Sequence, residues 1–427
     1  MTTADTATDD QAQEAWWRKL GPGLITGAAD DDPSGIATYS QGGAQFGFSI
    51  GRTILVTLPL MIGIQLASAR IGRITGKGLT ENFARFCPRW MVHVLVALLV
   101  LANIINIGAD LNAMGDAASL LAGGGKVAFT VALGLVSLLL QVFLPYNRYV
   151  SILKWLTLSL FAYVGVGFVA HVNWVSAAKQ TFVPHITWSK DYATTIVAIL
   201  GTTISPYLFF WQAAQECEEI HRVDADKPLR IAPDQARRHL KRLRIDTVVG
   251  MAFSNFIAFF MIVATAATLH AKGITNIETT TQAAKALEPI AGKFAVLMFS
   301  LGILGTGLLA LPVLAGSAAY SVASLLHIRK GLDPPPEAAK SFYGILATAI
   351  VIGLGISLSG LNPIKALYWS AVVNAVISVP IMVAVMLAAS HRKIVGEMVL
   401  PRIWRALGWL ATGAMGAATV VMFATML

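Results

Sequence analysis

The sequence predicts an all-α integral membrane protein with eleven transmembrane helices, and three observations predict it. Apolar residues make up 56% of the chain and charged residues 13%, about half the usual soluble share of ~25%. Apolar runs long enough to cross a bilayer, roughly 17–25 residues each, recur from end to end. Lys and Arg concentrate in alternate connecting segments, as the positive-inside rule requires.

The runs fall at about 22–46, 50–69, 92–114, 127–145, 151–171, 192–215, 246–269, 292–324, 342–360, 364–389 and 403–426. No stretch between them is long enough for a separate soluble domain, so 20–426 reads as a single transmembrane domain with an inner loop at about 216–245. Residues 1–19 are mostly polar and begin acidic, unlike the basic start of a signal peptide, and read as a disordered cytoplasmic tail. Trp16 and Trp17, followed by Arg18 and Lys19, suit an interfacial anchor. With the N-terminus inside, 24 of the 32 Lys and Arg lie in inner segments. Eleven spans then place the C-terminus outside, in the cell (inner) membrane. The net charge of +9 is therefore a topology signal and not a nucleic-acid footprint. The expected surroundings are the lipid bilayer, and the expected working form is a monomer. Cys87 and Cys217 lack metal-ligand spacing, and no disulfide is expected between them.

Two spans carry a break. Span 1 has Asp32-Pro33 near its middle and span 6 has Ser205-Pro206 near its middle. A polar residue before Pro marks the start of a new helix, with the polar side chain as N-cap and Pro in the first turn. Breaks in corresponding positions of two halves point to a transporter's binding site at the bilayer midplane, where unwound backbone offers carbonyls to a cation.

Span 1 also carries Asp30, Asp31 and Asp32 in succession. A carboxylate at the centre of a spanning helix costs about 2.5–3.5 kcal/mol on insertion scales, so three of them must face water, a cation or protons. Successive helical residues point about 100° apart, and the break at Pro33 lets them approach one another. Three close carboxylates do not all ionise together, and at least one is expected to hold a proton until a cation arrives. Asp32 reads as a cation ligand or as only the N-cap of the second half-helix. Asp30 and Asp31 divide between lining a cavity and packing on a polar neighbour. Ser205 reads first as a cap and second as a ligand.

On span 3, Asn103, Asn106 and Asp110 share one helix face at i, i+3 and i+7, which suggests a water or proton route or, for the Asn residues, interhelical hydrogen bonds. Asn374 and Ser378 in span 10 divide between those same roles. Gly302, Gly305, Gly307 and Gly316 in span 8 suggest close helix packing.

Three stretches carry a family resemblance. Residues 21–48, GPGLITGAADDDPSGIATYSQGGAQFGF, resemble the first-span signature of the NRAMP metal-ion transporters. GRITGKGLTE, Gly72 to Glu81, is similar to that family's loop after span 2, and HRKIVGEM, His391 to Met398, to its segment after span 10. The resemblance runs from about 20 to 426 and implies a LeuT-type fold of two inverted five-helix repeats plus one extra helix. It also implies a metal site in which Asp32 matches the family Asp and the carbonyls of Ala29 and Thr202 lie nearby. Gly35 stands where the family has Asn, Ser34 where it has Gly, and Ser205 where it has Met. Tyr207 replaces a His, and Gln212 replaces a second His. Asp110 matches a family Asp linked to proton movement, while Ala113 replaces the Glu one turn later.

These departures have a physical direction. A thioether favours softer metals, whereas oxygen ligands suit Mg²⁺, Ca²⁺ and Mn²⁺. Mg²⁺ keeps several waters and needs one or two carboxylates. Ser34, Asp30 and Asp31 would supply further oxygens to such a hydrated ion. The expectation is a secondary transporter importing divalent cations by alternating access, with Mg²⁺ or Mn²⁺ favoured, no cofactor, and proton coupling in doubt because the relay His is absent. Asp110, Asn106 and Tyr207 are the candidates for a proton or water path. Two other readings are a proton-coupled Mn²⁺/Fe²⁺ symporter and an Asp-rich intramembrane enzyme of the prenyltransferase kind, with Asp224, Asp226 and Asp234 as its second cluster. An amino-acid transporter of the same fold is disfavoured because Asp32 would repel the substrate carboxylate.

Overall fold

The computed structural model describes residues 22–144, 158, 160–170, 172–183, 189–222, 225–332 and 336–426. The tail 1–19 with its Trp16–Trp17 anchor, the start of expected span 5 and Asp224 lie outside the described residues. All regular structure among the described residues is helical. In chain order the principal helices are α1 (Pro22–Asp30), α2 (Pro33–Phe46), α3 (Gly51–Thr75), α4 (Arg89–Ala122), α5 (Lys126–Phe143), α6 (Phe161–Val169) and α7 (Trp174–Phe182). They continue with α8 (Lys190–Thr203), α9 (Pro206–Arg222), α10 (Ala236–Thr268), α11 (Ala295–Leu325), α12 (Lys340–Ser357), α13 (Pro363–Ser390) and α14 (Arg402–Met426).

Among the described residues, nine helical stretches are long and apolar enough to cross a membrane, or ten if the bent pair α6 and α7 forms one span. The expected eleven is not reached by this count. The difference lies in Pro33–Thr75, which counts as one stretch of 43 residues because only a short 3₁₀ turn, Gly47–Ile50, separates α2 from α3. At 1.5 Å per residue such a helix would reach ~64 Å, about twice the apolar thickness of a bilayer. The inner segment 216–245 is also more ordered than a loop. Helix continues to Arg222 and resumes at Ala236, because charged residues extend both helices beyond their apolar stretches.

Both expected breaks are present. α1 stops at Asp30 and α2 starts at Pro33; α8 stops at Thr203 and α9 starts at Pro206. The cause is local. In an unbroken helix the Ala29 carbonyl would accept from the N–H of residue 33 and the Thr202 carbonyl from that of residue 206, and both partners are proline. The two broken spans are surrounded by intact ones: α10 packs on α1 and α2, α3 on α9, and α13 on α2, α4 and α8. Small residues allow the close approaches. A Cβ on Gly307 of α11 would fall 2.4 Å from Met114 Sδ and 3.2 Å from Pro33 Cγ, and one on Gly316 would fall 2.5 Å from the Trp211 ring. Cys87 and Cys217 are free.

Candidate functional site

Asp32 occupies the break in span 1 and divides its two oxygens between two tasks. Oδ1 accepts from the Gly35 backbone N–H at 2.8 Å and from the Ser34 hydroxyl at 2.6 Å, making Asp32 the N-cap of α2 with extended backbone, φ −70° and ψ 172°. Oδ2 points to the other side, where the Asn106 amide donates at 3.0 Å and the Tyr207 hydroxyl at 3.2 Å. The cap and the inward-facing carboxylate are thus one residue. A carboxylate has about four acceptor positions, and all are engaged by Ser34, Gly35, Asn106 and Tyr207. A cation reaching Oδ2 must displace or share with Asn106 and Tyr207.

The structure does not bring the three aspartates together. Asp30 Oδ2 accepts from the Ser254 hydroxyl of α10 at 2.5 Å, and Asp31 Oδ1 lies 3.2 Å from the same hydroxyl. Asp32 instead faces α4 and α9. No group of three or more His, Cys, Asp or Glu converges as a metal cage among the described residues. All three aspartates are at most 2% exposed, as is Asp110, so each is out of water.

Asn106 connects the sites on α4. Its amide nitrogen donates to Asp110 Oδ2 at 3.1 Å as well as to Asp32, and its oxygen accepts from Asn374 Nδ2 at 3.0 Å. The expected stripe of span 3 therefore divides. Asn106 and Asp110 belong to the site, whereas Asn103 ties α4 to α11 by donating to the Leu314 carbonyl and Ser317 hydroxyl at 2.9 and 2.7 Å. One oxygen each of Asp30 and Asp110, and the Thr202 hydroxyl, are buried without a hydrogen-bond partner. Such orphans are costly in an apolar interior, and they surround the break in span 1.

The break in span 6 is satisfied by hydroxyls. The Ser205 Oγ turns back over the end of α8 and donates to the Gly201 and Thr202 carbonyls at 2.7 and 2.9 Å, serving the first half-helix instead of capping the second. Ser378 donates to the Ile204 carbonyl at 3.1 Å, which gives a role to a residue whose spacing left it open. Gly35 brings the two breaks together: a Cβ there would lie 3.2 Å from Thr202 Oγ1 and 3.6 Å from the Asp30 carbonyl. Ala29 lies in the last turn of α1, and Pro33 leaves its carbonyl without a helical partner. Gln212, in the place of the second His, is held between Gln65 at 2.5 Å and Thr247 at 2.9 Å.

Sequence reasoning missed Ser254. The only signal was a polar residue inside the apolar run 246–269, which is common in spans and carries no address. Of the second acidic cluster of the enzyme reading, Asp226 pairs with Arg73 and His239 at 2.5 and 3.3 Å, and Asp224 lies outside the described residues.

Two cavities flank this buried region. One, of about 310 Å³, is lined by Gln41, Thr194, Asn276 and Tyr368; the other, of about 190 Å³, by Glu81, Cys217, Glu218 and Lys330. Gln41, which lines the first, ties α2 to the segment before α11, donating to the Thr275 carbonyl at 3.3 Å and accepting from the Ile277 N–H at 2.9 Å.

The profile of Natural resistance-associated macrophage protein-like (Nramp) proteins matches residues 23–425. The divalent metal cation transporter MntH of Deinococcus radiodurans is 27% identical over 406 residues, covering 92% of this chain and 86% of that protein. The Eremococcus coleocola manganese transporter has a similar fold, with a TM-score of 0.71 at 16% identity over 96% of this chain and 87% of its own. Mhp1, a nucleobase-cation-symport-1 transporter, shares the fold at a TM-score of 0.59 and 14% identity, over 96% of this chain and 91% of its own. The architecture is thus of the LeuT type that Nramp proteins and Mhp1 have in common, and this chain belongs to the Nramp family, whose members are membrane transporters and not enzymes.

Proposed function

We propose that this protein carries divalent metal cations across the cell membrane by alternating access, with Asp32 as the charged ligand and hard ions, Mg²⁺ and Mn²⁺, favoured. The observation that carries the reading is the second oxygen of Asp32. It faces Asn106 and Tyr207. Pro33 leaves the Ala29 carbonyl without a helical partner, and the Thr202 carbonyl, which Pro206 cannot serve, accepts from Ser205 and keeps a second lone pair. Every donor atom in this set is oxygen, and the Ser205 position offers no thioether. That set suits ions that prefer oxygen and retain waters. Ser34 engages the capping oxygen and acts by orienting Asp32. Asp30 and Asp31 contribute charge from the Ser254 side without direct ligation. Eleven spans, an inner N-terminus and an outer C-terminus complete the topology of a single domain over 20–426, working as a monomer. The relatives' names support a divalent cation as cargo, and the manganese transporter supports Mn²⁺ among the ions carried.

Transport is uncoupled from protons in this reading, because Tyr207 donates to Asp32 as a neutral phenol where a His would exchange protons near neutral pH. A proton-coupled symporter is the second reading, favoured by the unpartnered oxygen of Asp110 next to Asn106. Uptake into proteoliposomes, with Mg²⁺, Mn²⁺, Fe²⁺ and Ca²⁺ competed against one another and interior pH recorded, tests both. Preference for Fe²⁺ over Mg²⁺ would overturn the hard-ion reading, and interior acidification tracking metal entry would overturn the uncoupled one.

A further inference from the structure

A third cavity, of about 240 Å³, opens between α3, α10 and α14 at the Lys- and Arg-rich end. Arg70, Arg237, Lys241 and Arg244 line it together with Leu243 and Trp404, and no acid is among the lining residues. Arg237, Lys241 and Arg244 lie at i, i+4 and i+7 on α10, so three like charges share one helix face, an arrangement that destabilises a helix unless an anion offsets it. Neighbouring cations are treated differently. Arg242, on the same helix, pairs with Glu216 and Glu219 at 3.1 and 2.6 Å, and Arg73 pairs with Asp226 at 2.5 Å. The four cations of the cavity have no ion pair among the described residues. Arg70 is fixed by donating to the Met398 carbonyl at 3.0 Å, and its Nε is buried without a partner.

The apolar surroundings continue the pattern. From Lys241, one ridge of α10 carries Ile245, Val249 and Phe253 at successive steps of four, with Phe256 beyond, and all four apolar residues are exposed. Trp404 stands at the start of α14, where an amphipathic ring suits the membrane interface. A basic mouth with an aromatic rim and an exposed apolar ridge matches an amphiphile with an anionic head and an acyl chain. Free phosphate would use the mouth alone.

We propose that this cavity binds the phosphate head of an anionic phospholipid, whose acyl chain lies along Ile245, Val249 and Phe253. Basic pockets between spanning helices on the cytoplasmic side take such heads. The inference is independent of which ion the protein carries.

The test uses the purified full-length chain in mixed vesicles of phosphatidylglycerol and phosphatidylcholine, with lipid retention read by native mass spectrometry after extraction. The wild type should retain phosphatidylglycerol over phosphatidylcholine by about tenfold, and the Arg237→Gln/Lys241→Gln/Arg244→Gln variant by close to one. A Lys190→Gln/Lys365→Gln variant, altered at the distant cavity beside Gln41 and Tyr368, should keep the wild-type preference. As a second readout, phosphatidylglycerol brominated on its acyl chain should quench tryptophan fluorescence more than brominated phosphatidylcholine, and Trp404→Phe should abolish the difference. Equal retention of the two lipids, an unchanged triple variant or a distant variant that also loses its preference would overturn the proposal. So would full displacement of the lipid by millimolar sn-glycerol 3-phosphate, which would assign the mouth to free phosphate esters.

Discussion

The amide nitrogen of Asn106 lies 3.0 Å from Asp32 Oδ2 and 3.1 Å from Asp110 Oδ2, so one side chain joins the carboxylate at the helix break to the carboxylate one turn further along α4. Asn374 in turn donates to Asn106 at 3.0 Å and fixes the orientation of its amide. With Tyr207, these groups satisfy the inward oxygen of Asp32 when no cation is present. In the proposed site, a cation would compete with these donors for the same lone pairs.

This competition has a measurable sign. Tyr207→Phe removes one donor from Asp32 Oδ2, a bond to a charged group contributing about 1.5–3 kcal/mol. The metal-free variant should unfold at lower temperature than the wild type. Metal should bind it more tightly, by up to about tenfold for 1.4 kcal/mol, and its thermal shift on adding Mn²⁺ should be larger. Weaker binding on titration calorimetry would instead make the hydroxyl part of the binding shell.

The two tasks of Asp32 separate by substitution. Asp32→Asn keeps an oxygen for the Gly35 N–H, and Asn caps about as well as Asp. It should fold and abolish transport. Asp32→Ala loses the cap as well, at a cost of about 0.5–2 kcal/mol, and should melt below Asp32→Asn while transporting equally little. Retained uptake by Asp32→Asn would mean that its charge is not needed.

Ser205→Met restores a thioether at the break in span 6. Fe²⁺ and Mn²⁺ should gain against Mg²⁺ by roughly tenfold in competition uptake, since sulfur favours the softer ions. The variant also loses the hydroxyl that bonds the Gly201 and Thr202 carbonyls, so a modest fall in melting temperature should accompany the change. An unchanged ion order would remove ligand softness as the determinant.

Packing against the break is testable through Gly307. A Cβ there would sit 2.4 Å from Met114 Sδ, and overpacking of this kind costs about 1–3 kcal/mol. Gly307→Ala should lower the melting temperature. Adding Met114→Ala should return part of the loss, because the double variant removes the atom in the way. Additive losses would place the strain elsewhere.

Asp226, in the segment between α9 and α10, bears on acid stability. Partial burial pushes its pKa up, but the Arg73 guanidinium that hydrogen-bonds it, with His239 beyond, outweighs burial and holds the carboxyl below its ordinary pKa. A depressed value in the folded state means stability that is present above the unfolded pKa, about 3.9, and lost as pH falls through the folded value. Asp226→Asn should therefore melt lower than the wild type at pH 7, and the gap should close below about pH 4. A gap that persists in acid would show that the loss is one of packing.

Much of this protein was legible in its residue order. Pro33 and Pro206 each follow a polar residue and begin a new helix, where a missing N–H costs nothing, whereas Pro59, Pro312 and Pro380 lie inside continuous helices. The polar residue before Pro33 is the cap that its position demanded. Gly307 and Gly316 of span 8 lie where helices touch, because hydrogen is the side chain that fits there. The inner segment 216–245 was less legible, since apolar length does not report helix that continues into water.

What the order of residues determined was that carboxylates sit at a broken span inside a membrane. Only the tertiary structure decided which oxygen of which aspartate faces inward. The helix ends at Asp30 and the chain turns before Pro33, so the aspartates part: Asp30 and Asp31 meet Ser254 of α10, and Asp32 meets Asn106 of α4 and Tyr207 of α9. These partners are 74 to 224 residues away in sequence. No local rule names them, because helix packing sets which faces of distant spans come together.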